Sequence, residues 1–354
     1  PLQCGFLRTV GGANVVLQLC EFSGSLVLYV WDTGSVTSAY VEPASWGSAG
    51  MPPSGFTASI TTIGGVAVIN VSDRDPVYWA GDFNTLAAPL PDWPTNGRCW
   101  AIRAHRGFLF AIGFFSENQT RVRWSSVAEP GSVPAEWTPD ASNLAGFVDL
   151  MPSSSPALDA VTLGNELVLF KQQGVFTASF IGGNEVFAVR PALTSLGLVA
   201  VGGAVAGPNG QAAFVSADRD LYVTDGVQAQ SVLDGRLRDA FRDACGSPAM
   251  LWACDWRAEN QAIFHVAETD TSLTYGWSSN AVGLHDVPGP LDEGATVGPV
   301  EVLLGSPVDT GPWADASGTW AGTTLPWSYN DPSIGVDIPM YCSRQRNRVV
   351  WSEG

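Results

Sequence analysis

Lysine is almost absent from this chain. Lys171 is the only one, and arginine supplies every other basic side chain. Only 14% of the residues are charged, and 34 acidic residues against 17 basic ones give a net charge of -17. Proteins that grip nucleic acid electrostatically need basic patches, so the composition argues against that class. The composition is compatible with a protein that DNA slides past, because a negatively charged surface repels phosphate. An acidic surface can also serve solubility alone.

Motifs of catalysis and cofactor binding are also lacking. The chain has no His-Glu-x-x-His, no Gly-x-Ser-x-Gly and no phosphate-binding loop. The three histidines lie far apart, without the spacing of metal ligands: His105, His265 and His285. The glycine-rich residues 202–210 lack the Lys-Ser/Thr of a P-loop, and we interpret them as close backbone packing or a hairpin turn. We therefore expect no enzyme, no cofactor and no metal.

Paired cysteine motifs and long apolar runs are missing too. None of the six cysteines forms a Cys-x-x-Cys pair, so buried free thiols are favoured over disulfides, as in a protein assembled in the cytosol. They are Cys4, Cys20, Cys99, Cys245, Cys254 and Cys342. Residues 1–10 do not resemble a secretory signal. The longest apolar run, residues 196–206, is too short and too glycine-rich for a membrane span.

Short strands and tight turns are what the sequence does contain. Glycine (39), proline (24) and tryptophan (14) are abundant, and 45% of the residues are hydrophobic. Six segments combine an apolar strand, a polar turn and a return strand, which predicts six β-hairpins. These hairpins are residues 25–41, 64–79, 107–124, 164–181, 211–223 and 261–277.

The hairpins recur at a regular interval. Their return strands centre near residues 31, 79, 124, 176, 222 and 277, about one propeller blade of 40 to 50 residues apart. Residues 71–78 and 215–222 are the closest internal match and lie three repeats apart. We predict an all-β propeller of roughly six blade-like repeats over residues 1–286. A pair of β-sandwiches explains the strands but not the spacing.

The C-terminal part breaks this pattern. Residues 287–340 are rich in Pro, Gly and Asp, which predicts either a loop-rich extension or an irregular last blade. Residues 341–354 read as a closing strand.

Tryptophan recurs at one place in the repeat, in a unit that consists of a strand, a Pro/Gly loop and a closing aromatic residue. Residues 121–137 are the clearest copy: the strand ends at Trp124, and Trp137 closes the unit as an aromatic plug. Stacking on sugars is the alternative role of such rings. Their repeated placement favours a role in the core.

Paired carboxylates occur in two of the predicted turns, at Asp73 and Asp75 and again at Asp218 and Asp220. They could bind calcium, and they resemble a sialidase-like turn, although the glycine of that turn is absent. Because Asp caps turns for its own reasons and an arginine separates each pair, we favour a turn role.

Two arginine groups are candidates for an interface or a lumen. Residues 234–245 have the apolar spacing of a short amphipathic helix, which carries either a solvated face or a docking contact for an acidic partner. The candidate residues in this helix are Arg236, Arg238 and Arg242. A second group near the C-terminus could line a pore or pair across a subunit interface: Arg344, Arg346 and Arg348.

Three segments together resemble the tail nozzle proteins of short-tailed bacteriophages, also called tail tubular protein B or packaged-DNA stabilisation proteins. The first is Arg-Val-Arg-Trp-Ser-Ser from Arg121, with Pro130 and with Trp-Thr-Pro from Trp137. The second is Asn-Glu-Leu-Val-Leu-Phe-Lys ending at Lys171, followed by Gly-Val-Phe from Gly174. The third is Asp-Leu-Tyr-Val-Thr-Asp-Gly ending at Gly226. The resemblance covers about residues 60–245.

The resemblance implies a structural virion protein of the tail, assembled in the host cytoplasm. Its copies would form a ring, a hexamer, below the portal and adaptor and next to tail fibre or tip proteins. DNA would pass through that ring without specific binding and be retained after packaging. Repeated heterologous contacts between identical chains close into such rings.

Two other hypotheses stay open from the residues themselves. One is a propeller that binds or cleaves glycans as a receptor component, which would need exposed tryptophans and two facing carboxylates. The other is a cellular propeller that acts as an interaction scaffold.

Overall fold

A computed structural model describes most of the chain. Residues outside the description are 1–2, 23, 33–36, 54, 141, 184, 247–250, 257–258, 267–268, 270, 285–290, 298–299, 306–337, 343–348 and 352–354. The described residues form seven four-stranded sheets with a few short helices between them.

The first three sheets take up the N-terminal part of the chain. Sheet 1 contains β1 (Gln3–Arg8), β2 (Asn14–Phe22), β3 (Ser25–Asp32) and β4 (Ser38–Tyr40), and helix α1 (Ala44–Ala49) follows it. Sheet 2 contains β5 (Ala58–Ile63), β6 (Val66–Val71), β7 (Val77–Trp79) and β8 (Ala88–Pro89). Sheet 3 contains β9 (Ala101–His105), β10 (Phe108–Ile112), β11 (Arg121–Trp124) and β12 (Gly146–Asp149).

The next three sheets repeat the same order. Sheet 4 contains β13 (Ala157–Leu163), β14 (Glu166–Lys171), β15 (Val175–Phe180) and β16 (Phe187–Leu193). Sheet 5 contains β17 (Ala204–Ala206), β18 (Ala212–Val215), β19 (Leu221–Thr224) and β20 (Ala229–Ser231), and helix α2 (Gly235–Ala244) follows it. Sheet 6 contains β21 (Leu251–Trp256), β22 (Gln261–Val266), β23 (Thr271–Gly276) and β24 (Ala281–Leu284).

Sheet 7 lies in the C-terminal part, where the sequence predicts an extension or an irregular last blade. It contains β25 (Leu291–Val297), β26 (Val300–Gly305), β27 (Ile338–Cys342) and β28 (Val349–Trp351). Its strands β26 and β27 pair in parallel, whereas sheets 1 to 6 are antiparallel throughout.

The first strands of the seven sheets form a closed ring. Each packs beside the first strand of the next sheet, and β25 lies against both β21 and β1. The predicted β-propeller is confirmed, with six antiparallel four-stranded blades. The mixed seventh sheet closes the circle between the sixth and the first.

Burial explains why sequence patterns found only the middle hairpin of blades 2 to 6; in blade 1 they found β3 and β4. The second strands are covered on both faces by neighbouring blades, so β6 and β10 are buried at every residue. Such strands read as continuous apolar runs. First and fourth strands such as β5 and β16 are only partly buried and lack that signal.

The internal match between residues 71–78 and 215–222 has a structural counterpart. The two segments form the turns after β6 and β18, which are equivalent positions in blades 2 and 5. Three blades separate them, as the spacing predicts. The serine hydroxyl accepts a hydrogen bond from a backbone N–H in both turns, from Thr57 to Ser72 at 2.9 Å and from Asp220 to Ser216 at 3.3 Å.

The loop between the third and fourth strands of blade 3 fastens that blade to blade 2. In blade 3 this loop spans residues 125–145, and the Gly131 N–H donates to the Gly64 carbonyl of blade 2 at 2.8 Å. Trp137 fills the loop: its ring is fully buried and meets the Trp93 ring edge-on at 4.7 Å. Trp137, the predicted aromatic plug, therefore lies at the contact between blades 2 and 3.

Candidate functional site

An apolar depression at one end of the propeller axis is the first candidate site. It is lined by residues at or just before the first strands of blades 2, 3, 4 and 5, and its volume is about 180 Å³. The lining side chains are mainly Phe56, Trp100, Leu158, Val199 and Val201. Because four blades contribute to it, the depression lies where the inner strands converge.

Polar contacts beside this depression set the direction of the inner strands. The Thr57 hydroxyl donates to the Trp100 carbonyl at 2.7 Å, and the Ser59 hydroxyl accepts from the Ile102 N–H at 3.0 Å. These contacts advance together along β5 and β9, so the two strands run in the same direction. Side-chain hydroxyls thereby satisfy the free edge of β9.

A buried ion pair continues this polar seam into blade 4. The guanidinium of Arg103 donates two hydrogen bonds to the Asp159 carboxylate, at 2.7 and 2.8 Å. Asp159 is 1% exposed and also accepts from the Gly202 N–H at 2.9 Å, which brings in the segment before blade 5. One carboxylate therefore ties three successive blades. Bidentate geometry of this kind fixes orientation as well as charge.

His105 lies on the same seam. Its Nδ1 is 3.1 Å from the Thr162 hydroxyl, and the residue is buried against the Phe110 and Phe187 rings. Burial lowers the pKa of His105, and the neighbouring charge of Arg106 lowers it further. A neutral imidazole wedged between blades is a packing element.

Lys171 is a buried cation without a carboxylate among its hydrogen-bond acceptors. Its side chain is fully buried, and the ammonium donates to the carbonyls of Leu150 (2.6 Å) and Ser153. Desolvation lowers the pKa of this amine. The only lysine of the chain thus holds the connection from blade 3 to blade 4.

The carboxylates of the two predicted turns are engaged within the protein. Asp73 pairs with Arg74 at 2.8 Å, and Asp75 pairs with Arg98. In blade 5 the Asp220 carboxylate pairs with Arg238 at 2.8 Å and accepts from the Leu221 N–H. Within the described residues, no group of three or more His, Cys, Asp and Glu is placed to hold a metal ion.

The arginines of α2 serve different purposes. Helix α2 begins after Asp234, whose side chain accepts from the Leu237 N–H, and it buries Phe241. Arg238 points back into blade 5, where it also donates to the Ser231 hydroxyl at 2.7 Å. Arg236 and Arg242 are exposed. The second predicted group lies outside the described residues: Arg344, Arg346 and Arg348.

Tryptophans and thiols occupy the interior of the described part. None of the ten tryptophans with described side chains is classed as exposed: Trp31, Trp46, Trp79, Trp93, Trp100, Trp124, Trp137, Trp252, Trp256 and Trp277. The four cysteines with described side chains are buried, namely Cys20, Cys99, Cys245 and Cys254. Burial raises the pKa of Cys20, which favours an inert thiol. The Cys4 and Cys342 side chains and the whole of His285 are outside the description.

The inter-blade ties were not foreseen from the sequence. Arg103, Asp159 and Lys171 interrupt apolar strands, and a charge inside an apolar run is the signal that could have identified them. Their partners lie 18 to 56 residues away in sequence, on other blades or in the connections between blades.

Comparison with known proteins supports the fold. No protein-family model matches the chain, and no curated protein matches it. Among solved structures it is similar to puromycin hydrolase, with a TM-score of 0.52 and 15% identity over 82% of this chain and 48% of that one. It is also similar to the WD40 β-propeller domain of Doa1 (TM-score 0.49, 8% identity, 83% and 84%) and to U3-55K (0.49, 10%, 83% and 84%). The chain thus spans about half of the hydrolase.

At these identities the similarity concerns architecture alone. An enzyme and a WD40 domain both occur among these neighbours. Of the described helices, none is long and apolar enough to cross a membrane.

Proposed function

We propose that the chain is a structural virion protein, a subunit of the ring-shaped tail nozzle of a short-tailed bacteriophage. The proposal starts from the similarity of residues 60–245 to that family. In this proposal, six copies of the chain form a ring that conducts the genomic DNA and retains it after packaging. The ring meets the portal or adaptor on one side and fibre or tip proteins on the other.

The small depression lined by blades 2 to 5 is the structural observation that bears on the path of DNA in this proposal. The axial depression has a volume of about 180 Å³, roughly that of six water molecules in the liquid. The major groove of B-DNA alone is about 12 Å wide. In this proposal the DNA therefore runs between copies of the chain rather than through that depression.

The charge balance agrees with such a path. The net charge is -17, and several described arginines are already paired with carboxylates, among them Arg103, Arg121 and Arg238. A lumen lined by several acidic copies would repel phosphate and let DNA slide.

A role without catalysis is part of the proposal. Asp73, Asp75, Asp220 and Asp159 each pair with an arginine, and the Asp218 carboxylate accepts from the Ser216 hydroxyl, so these groups have a structural use already. Six of the ten described tryptophans are buried, which makes those six poor candidates for sugar platforms, because a platform must expose a ring face. These observations favour the nozzle over the glycan receptor.

Negative-stain electron microscopy of the purified chain tests the proposal. We expect closed rings with a central hole in two-dimensional averages, and no cleavage of glycans. Single discs at every protein concentration, both alone and with a portal or adaptor ring added, would contradict it.

A matched pair of variants tests the predicted arginine contact. If the exposed arginines of α2 pair with a neighbouring copy, R236E/R242E should reduce the fraction of rings. R190E, which reverses an exposed arginine on β16, is the control. Equal ring fractions in both variants would remove α2 from the interface.

A further inference from the structure

Four aromatic rings form a continuous surface on blade 1, which we call the aromatic ledge: Phe22, Tyr29, Trp31 and Tyr40. The Phe22 and Tyr40 ring centroids are 6.1 Å apart, those of Tyr40 and Tyr29 are 5.1 Å apart, and those of Tyr29 and Trp31 are 5.9 Å apart. Each ring touches the next, so the ledge is a single apolar strip.

The ledge lies on the face of blade 1 that is turned away from blade 2. Tyr29 and Tyr40 are direct partners in the β3–β4 register and so share that face. Leu28 and Val30, which alternate with the ledge residues along β3, belong to the core between blades 1 and 2. At the outer end Phe22 is 54% exposed and Tyr40 is 49% exposed. The strip therefore ends in rings that face solvent.

The ledge has a negative charge beside it. Glu42 follows β4, and its carboxylate accepts a hydrogen bond from the Leu28 N–H at 3.3 Å. Burial is the main cause that raises the pKa of Tyr40. The neighbouring Cys20, Tyr29 and Glu42 raise it further. A carboxylate next to electron-rich ring faces makes a surface that attracts cations.

Other exposed rings of the chain have a cation of their own. The Arg121 guanidinium lies 4.3 Å from the centre of the Phe147 ring, and that of Arg106 lies 5.8 Å from the centre of the Phe180 ring. Among the described cation–ring contacts, none involves the four ledge residues. The aromatic ledge thus has the rings and the negative charge of such a contact without a described cation.

We propose that the aromatic ledge is a docking site for an arginine- or lysine-bearing segment of a partner protein. The guanidinium or ammonium would lie over Tyr40 and Phe22 with Glu42 as its counter-ion, and the aliphatic stem would pack on Tyr29. Aromatic residues and arginine are the pairing that dominates protein interfaces. The negative charge disfavours nucleic acid, which would otherwise stack on such rings. This inference holds whether or not the chain forms a nozzle.

Fluorine NMR of the whole chain labelled with 3-fluorotyrosine provides the test. The probe is acetyl-triarginine amide, and the matched control is the citrulline tripeptide, which has nearly the same shape without the charge. We expect a saturable shift of the Tyr40 and Tyr29 resonances, assigned by Tyr→Phe variants, with the arginine probe only. Maltohexaose is titrated separately.

Two variants and one control localise the site. Phe22→Ala and Glu42→Gln should each weaken binding of the arginine probe about threefold to fivefold, as expected for the loss of a partly exposed cation–ring contact or its counter-ion. Phe147→Ala, which removes an equally exposed ring that Arg121 already covers, should leave the affinity unchanged.

Three results would overturn the proposal. The first is an equal response to the citrulline tripeptide, and the second is saturable binding of maltohexaose alone, which identifies a carbohydrate platform. The third is binding of the arginine probe only after Arg344, Arg346 and Arg348 are replaced by glutamine. That result would make the occupant a segment of the same chain.

Discussion

At the scale of single residues, charges inside apolar strands act as ties between blades. Asp159 accepts hydrogen bonds from blade 3 and from the segment before blade 5 while it belongs to blade 4. Lys171 likewise joins two blades through backbone carbonyls. Burying a charge is costly unless it is paired, so such residues are tolerated where they hold separate elements together.

Removing the Asp159 carboxylate should therefore destabilise the protein strongly. D159A removes the carboxylate to which Arg103, whose side chain is only 23% exposed, donates two hydrogen bonds, and we expect a loss of about 3 kcal/mol in the free energy of unfolding. Urea denaturation followed by tryptophan fluorescence measures it. D75N is the control, because its pair with Arg98 is half exposed and worth less than about 1 kcal/mol. Equal effects of both variants would contradict the inter-blade role.

Lys171 should be inert to amine reagents in the folded protein. Its lowered pKa increases the neutral, reactive form, but its complete burial keeps reagent away. We expect mass spectrometry to find the peptide with Lys171 unmodified by an N-hydroxysuccinimide ester in buffer and fully modified in urea. Rapid modification in buffer would mean that the connection between blades 3 and 4 opens readily.

At the scale of elements, the loops and turns carry the specificity of blade packing. In the loop at residues 125–145 the N–H groups of Trp137 and Thr138 donate to the Asp92 carboxylate at 2.8 and 2.9 Å. These bonds lower the pKa of Asp92 below its usual value of 3.8. The carboxylate thereby attaches the blade 3 loop to the end of blade 2.

Acid should loosen this attachment. A carboxyl group whose pKa is lower in the folded state contributes stability that is present above the unfolded pKa and is lost as pH falls through the folded value. D92N imitates the protonated form at neutral pH, and Asn suits the left-handed backbone of this position (φ 48°). We expect hydrogen exchange at the peptide with Trp137 to become about fivefold faster, which corresponds to one hydrogen bond.

The control for this variant is D140N in the same loop. Asp140 accepts from Ser142 and not from blade 2. Faster exchange at Trp137 in D140N as well would show that general loosening of the loop, rather than the Asp92 attachment, sets the rate.

One glycine marks a seam where two blades approach closely. A Cβ at Gly207, before the turn of blade 5, would lie 2.4 Å from the Trp277 ring of blade 6. The backbone φ of -110° is ordinary, so only space requires glycine here. G207A should lower the free energy of unfolding by about 2 kcal/mol, whereas G235A at the open start of α2 should be neutral or stabilising. Thermal unfolding distinguishes the two; equal melting temperatures would contradict the close seam.

At the scale of the whole molecule, closure of the ring joins the blades into one domain. Strand β25 lies between β21 and β1, so the seventh sheet covers both ends of an otherwise open series. On β2, three residues of the face turned away from blade 2 are buried: Val16, Gln18 and Cys20. They alternate with residues of the core shared with blade 2. Closure thus removes two open ends that would expose apolar faces and free strand edges.

A chain that ends at residue 286 should consequently lose cooperative unfolding. We expect hydrogen exchange to accelerate in β1 and β21, which would each lack a neighbour, and calorimetry to show a broadened transition. A truncated chain as stable as the whole one would mean that six blades form an independent domain, as the sequence-based boundary at residue 286 implies.

The sequence predicted the second and third strands of blades 2 to 6 closely, and the third and fourth strands of blade 1. β3 and β22 begin at the first residues of the hairpins predicted at 25–41 and 261–277, and β7 ends at the last residue of the hairpin predicted at 64–79. The helix predicted at residues 234–245 is α2, Gly235–Ala244. The first strands, the fourth strands of blades 2 to 6 and β2 were not predicted. Most of these strands are short or only partly buried and depend on neighbouring blades rather than on their own pattern.

Local chemistry by itself determined the repeat, the strand class, the turns and the acidic surface of this protein. These properties follow from side-chain periodicity and charge, which act over a few residues. Only the tertiary structure decided that a seventh sheet closes the ring, that Arg103 meets Asp159, and that four aromatic rings of blade 1 come together. Such contacts join residues far apart in the chain, and their energies depend on which faces the closed ring buries and which it leaves to solvent.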